Sequence, residues 1–132
     1  MFAAMAHERR IAILDKSVLA GNLYKLLFAP LGAALVTRRR PEELGGVLSG
    51  RQRIDLAIIN SNAFGRKFEE VESMLAKGGR APAATIFILQ EGEVTGELGR
   101  RAGRVPGARV IERPFHPDEF LSLVREMMGG GG

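Results

Sequence analysis

Asp55-Leu56-Ala57-Ile58-Ile59-Asn60-Ser61-Asn62-Ala63-Phe64 is an apolar run that ends abruptly in polar side chains, two of them amides. Leu56 to Ile59 has the length and isoleucine content of a strand buried on both faces, as the central strands of a parallel sheet are. Open α/β sheets bind their ligands beyond the carboxyl ends of such strands. Asn60 therefore stands where such a fold puts its reactive group, yet an amide neither attacks phosphorus usefully nor carries the charge that holds a cation. The stretch reads as a site that was built and then disarmed.

Working outward, Ile11 to Leu14 is a short apolar run closed by Asp15-Lys16-Ser17, a first strand with the loop at its carboxyl end. Leu19, Leu23, Leu26 and Leu27 recur at spacings of three and four and mark one apolar face of a helix that Pro30 and Gly32 end. Ala33 to Thr37 is a second strand, followed by Arg38-Arg39-Arg40 and a short helix from Pro41 to Leu48. Ile54 to Ile59 is the third strand. Phe68, Val71, Met74 and Leu75 mark the apolar face of a helix from about Lys67 to Lys77, stopped by Gly78-Gly79.

Thr85 to Leu89 is the fourth strand. Glu93 to Gly103 contains Gly96, Gly99 and Gly103, and an interior glycine costs roughly 1 kcal/mol relative to alanine, so a short or irregular helix is expected there. Ala108 to Glu112 is the fifth strand, Arg113-Pro114-Phe115 its exit, and Pro117 to Met128 a final helix with Phe120, Leu121, Val124 and Met128 inward. Five strands alternating with five helices in short steps require right-handed crossovers, hence a parallel sheet covered on both faces. The expected organisation is a tail over residues 1–10, a three-layer α/β domain over 11–128, and a flexible glycine tail or linker over 129–132.

The composition, 132 residues with 45% hydrophobic and 26% charged, suits one globular domain. The chain has no cysteine, which removes disulfides, thiolate chemistry and cysteine-based zinc sites. Neither a membrane span nor a secretory signal is evident, so a cytoplasmic protein without membrane contact is expected. Arginine supplies 15 of the 19 basic residues, but a net charge of +4 is mild and reads as solubility rather than as a nucleic-acid surface.

Landmarks at the ends of four strands make the chain resemble, over nearly its whole length, the receiver domains of bacterial response regulators (CheY-like). The resemblance implies a flavodoxin-like fold with strand order 2-1-3-4-5. In that family the first strand ends in two acidic residues that help hold Mg²⁺, the third in a phosphorylated Asp, the fourth in Thr or Ser, and the fifth in Lys-Pro. Here those places hold Asp15-Lys16, Asn60, Gln90 and Arg113-Pro114, and Asn62 fits the residue whose backbone carbonyl binds the metal. The implied pocket lacks its acceptor, and one carboxylate flanked by Lys16 and Arg113 offers little to a hard dication. No metal and no cofactor are expected. Asp15 is expected to pair with Lys16, Arg113 or both, and the Arg113-Pro114 bond to be cis as in the family.

The resemblance implies a signalling module of a two-component or phosphorelay pathway, a pseudo-receiver that binds a protein partner independently of phosphorylation and is not an enzyme. Self-association is compatible with that role. The family's recognition face corresponds to Glu93 to Met128, with Arg101, Val110, Phe115, Leu121 and Arg125 as candidate contacts. A different class of function is a sensor that takes an anionic ligand or nucleotide in the positive pocket or on arginines 38 to 40, 100, 101 and 104. Phosphorylation of Ser17 or Ser61 instead of Asn60 would need a neighbouring base, and none is evident from the chain order. His7 and His116 are too isolated for a metal pair.

Overall fold

The computed structural model describes residues 8–64, 67–76 and 81–129. The elements run β1 (Arg10–Leu14), α1 (Ala20–Phe28), a single 3-10 turn (Ala29–Leu31), β2 (Ala34–Arg38), α2 (Pro41–Leu48), β3 (Leu56–Asn60), α3 (Ser61–Phe64), α4 (Phe68–Leu75), β4 (Ala84–Leu89), α5 (Glu97–Gly103), β5 (Ala108–Glu112) and α6 (Pro117–Met127). All neighbouring strands pair in parallel, in the order β2-β1-β3-β4-β5. Every residue of β3 and β4 is buried, as continuous apolar runs demand at the centre of a two-sided sheet. The edge strands β2 and β5 are only partly covered.

Because successive strand residues point to opposite faces, the sheet divides its apolar side chains between two cores. Leu14, Ile59, Phe87 and Leu89 face Leu44, Val71 and Ala102 from α2, α4 and α5. Ile13, Ile58, Ile86 and Ile88 face Tyr24 and Phe28 of α1 and Phe120 and Val124 of α6. The flavodoxin-like three-layer architecture expected from the sequence is the one observed.

The face of α1 differs from expectation. Leu19, Leu23 and Leu26 are 69%, 65% and 76% exposed, whereas Ala20, Tyr24 and Phe28 are buried. Both sets recur at helical spacing. The aromatic set wins because Tyr24, Phe28 and Phe120 form a ring cluster, with centroids 5.6 to 6.4 Å apart, and because the Tyr24 hydroxyl finds a buried acceptor. Of the four leucines, only Leu27 is partly covered.

Three smaller differences have local causes. The four-residue α3 adds a helix to the five expected, and β3 starts at Leu56 rather than Ile54. Residues between Gln90 and Gly96 form turns before α5, with Gly99 N–H donating to the Glu93 carbonyl. A Cβ on Gly99 would lie 1.8 Å from the Val94 carbonyl oxygen, so glycine there permits a backbone contact no other residue allows. Lys77, Gly78 and Gly79, like His7 and Gly130 to Gly132, lie outside the described residues.

Candidate functional site

The carboxyl ends of β1 and β3 meet at Asp15 and Asn60, where the sheet order reverses direction between neighbouring strands. Asp15 is 4% exposed. Its Oδ1 accepts from Ser17 N–H and from Asn62 Nδ2, both at 2.9 Å. Its Oδ2 accepts from the Tyr24 hydroxyl at 3.0 Å and from Asn60 Nδ2 at 3.2 Å. Asn60 Oδ1 in turn accepts from Asn62 N–H, and Asn62 Oδ1 from Lys16 N–H, each at 3.0 Å. The carboxylate is thus satisfied by uncharged donors from β3, α1, α3 and the loop after β1, and both amides use their oxygens as well.

This arrangement corrects the expected ion pair. Among the described residues Asp15 makes no salt bridge with Lys16 or Arg113. Lys16 lines a separate groove with Arg39 and Lys67, where strand alternation sends it away from Asp15. Arg113 and the cis-linked Pro114 line the mouth of a cavity of about 330 Å³ whose floor is Asp15, Asn60 and Asn62 and whose walls include Leu23, Phe115 and Phe120. Arg113 is close enough to oppose the upward shift of Tyr24, whose hydroxyl pKa is raised first by burial and then by the Asp15 charge.

The residues do not fit Mg²⁺. A hard dication wants several carboxylate oxygens in octahedral array, whereas among the described residues Asp15 is the only carboxylate lining this cavity and its oxygens already carry four hydrogen bonds. Among the described residues no group of three or more His, Cys, Asp or Glu is placed to hold a metal ion. With an amide at position 60, the site offers hydrogen-bond donors and the one carboxylate of Asp15.

Gln90 stands at the exit of β4 but lines neither cavity; its N–H donates to Glu93 Oε1. The same carboxylate oxygen accepts from the buried Ser61 hydroxyl at 2.8 Å. Ser61 therefore does have a carboxylate beside it, contrary to expectation, and the contact ties the end of β3 to the turns before α5. Tyr24 and Glu93 are the residues that sequence reasoning missed. Tyr24 carried a usable signal, as the chain's single tyrosine in the Ala20, Tyr24, Phe28 register.

The candidate contacts between Glu93 and Met128 are mostly engaged internally. Arg101 pairs with Glu72 at 2.9 Å and stacks 5.0 Å from the Phe68 ring. Val110 packs on one core, Phe115 and Leu121 on the other, and of the five Arg125 alone is exposed.

No family model and no curated protein matches the chain. Solved structures do. A response regulator receiver protein from Burkholderia phymatum is 26% identical with a TM-score of 0.72, the match covering 92% of this chain and 96% of that one. The signal receiver domain of an HD domain-containing protein from Pseudomonas fluorescens Pf-5 is 16% identical with a TM-score of 0.77, covering 92% and 95%. A CheY-like receiver domain from Methylobacillus flagellatus is 13% identical with a TM-score of 0.71, covering 91% and 98%. Sheet order and structural neighbours together give the protein the fold of CheY-like response-regulator receiver domains. Among the described residues no helix is long and apolar enough to cross a membrane.

Proposed function

We propose that the protein is an atypical receiver domain of a two-component or phosphorelay pathway that acts in the cytoplasm by binding a partner protein, without accepting phosphate and without enzymatic activity. The observation that carries this reading is the closed shell around Asp15. Asn60 occupies the acceptor position, and Tyr24, Asn60, Asn62 and Ser17 supply the donors that leave no room for a metal's charge.

The surface that best suits a partner is α1, in place of the face first expected. Val18, Leu19, Leu23 and Leu26 are 65% to 76% exposed, and leucines at 19, 23 and 26 form one stripe along the helix. A contiguous exposed apolar stripe marks an interaction site. Lys16 and Lys25 flank it, and no acidic residue occurs from Lys16 through Pro41. A second copy would set like charges against each other, so the occupant we propose is an amphipathic helix with acidic flanks.

Incubation with Mg²⁺ and acetyl phosphate tests the first half: intact mass is expected to stay unchanged, and a stoichiometric gain of one phosphoryl group would overturn it. Affinity capture compared across variants tests the second. A partner held by the wild type and by Arg125→Ala, but lost with Leu19→Asp/Leu23→Asp, supports α1, and the reverse pattern moves the surface to α6.

A further inference from the structure

The second cavity, at the opposite side of Asn62, has no role in the reading above. It is a groove of about 570 Å³ lined by Lys16 after β1, by Arg39 and Arg40 after β2, and by Asn62 and Lys67 after β3. Its two carboxylates are already committed. Glu43 Oε1 accepts from the backbone N–H groups of Arg39 and Arg40, which holds its carboxyl below the usual range. Arg40 lies 4.0 Å from Glu42 and 3.8 Å from Glu43. Lys16, Arg39 and Lys67 remain without a carboxylate partner among the described residues.

Arg39 is also aimed. Its Nε donates to the Lys16 carbonyl at 3.1 Å, which fixes the guanidinium across the mouth of the groove, and no hydrogen bond from either Nη occurs among the described residues. A guanidinium held at one edge presents its remaining donors as a fork, the geometry that matches a phosphate group. Two of the other arginines considered from the sequence lack this setting: Arg38 turns back on the Thr37 carbonyl and Arg101 is paired with Glu72. Because Glu43 already serves the N–H groups that lead into α2, the anion would be held by side chains and not by that helix end.

We infer that this groove binds an anion carrying a diphosphate unit, either free or as part of a nucleotide. Four cations against two carboxylates leave the lining at a net charge of +2, and the three cationic side chains without a carboxylate partner, spread over three loops, can engage two phosphoryl groups at once where a monoester offers one. The position beyond the strand ends is where open α/β sheets take ligands. This inference does not depend on whether Asn60 or any hydroxyl accepts a phosphoryl group.

Isothermal titration of the full chain with sodium pyrophosphate, ADP and AMP tests it at low ionic strength. Pyrophosphate and ADP are expected to bind at one site per chain, AMP about tenfold more weakly, and added salt to weaken all three. Lys16→Gln/Arg39→Gln is expected to lose about tenfold or more in affinity for pyrophosphate. The charge-matched control Arg104→Gln/Arg125→Gln should retain it, with thermal unfolding confirming that both variants fold. Tighter binding of ADP than of pyrophosphate would assign the site to a nucleotide, and equal binding to the phosphate chain alone. Absence of binding by both, equal loss in the control, or AMP binding as tightly as ADP would overturn the inference.

Discussion

Tyr24→Phe is the sharpest probe of the closed cluster. The substitution keeps the ring against Phe28 and Phe120 and deletes only the hydroxyl that donates to Asp15 Oδ2. That oxygen is then left with Asn60 at 3.2 Å, the longest of its contacts. A hydrogen bond to a charged group contributes about 1.5–3 kcal/mol, and a buried carboxylate with no cation in contact should sit in the upper part of that range. Urea slopes of about 1–3 kcal/mol/M for small domains turn this into a midpoint lower by roughly 1 M. A double-mutant cycle between Tyr24→Phe and Asp15→Ala should give a coupling of about 1.5 kcal/mol or more, while Lys16→Ala with Asp15→Ala should give close to none, because Lys16 joins the network only through its backbone N–H. A Tyr24 coupling within about 0.5 kcal/mol of zero, or a larger one for Lys16, would refute the account. The same hydroxyl gives a pH signature. Its pKa is raised in the folded chain above the ordinary value of 10.0, so the folded state holds that proton more tightly than the unfolded state. The contribution is full below pH 10.0 and is lost as pH climbs from there toward the folded pKa. Wild-type stability should fall in that alkaline window, and Tyr24→Phe should lack this component. Since Tyr24 is the chain's single tyrosine, ultraviolet titration of tyrosinate reads it directly.

Asn60→Asp places a second carboxylate 3.2 Å from Asp15 Oδ2, so one carboxyl pKa should rise, with about 1–3 kcal/mol of stability lost at neutral pH and regained on acidification. Added Mg²⁺ should not recover it, and full recovery in a thermal melt would show that the site takes the metal after all. Leu19→Ser and Leu23→Ser should each change stability by no more than about 0.5 kcal/mol, whereas Phe28→Ala should cost about 3–5 kcal/mol. The opposite ranking in urea unfolding would put α1 in the leucine register. Gly99→Ala drives a Cβ into the Val94 carbonyl and should cost about 1–3 kcal/mol, with faster hydrogen exchange at the backbone N–H of position 99; an unchanged melt would refute the tight turn.

The sheet was legible because its two central strands are isoleucine-rich runs with no polar interruption, and only burial on both faces suits such runs. In the structure the ends of β1 and β3 bring Asp15, Asn60 and Asn62 together. The face of α1 was not legible, because two stripes of the same period compete and counting leucines favours the wrong one. The decision lies in what the second stripe meets: Phe120, about a hundred residues later, and Asp15, whose charge needs a donor. The side chain of Lys16 was readable in principle, since residues adjacent at a strand end point to opposite sides, which parts Lys16 from Asp15 whatever their charges. Treating the pair as an ion pair set sequence adjacency above geometry. Glu93 could not be found that way, because its oxygen meets Ser61 and Gln90 only when the turns before α5 fold back, a closure that depends on Gly99. The exposed leucines and the buried tyrosine are then one observation. By turning Tyr24 inward to satisfy Asp15, α1 turns Leu19, Leu23 and Leu26 outward, so the residue that closes the shell around Asp15 also sets out the exposed leucine stripe on which the proposed docking rests.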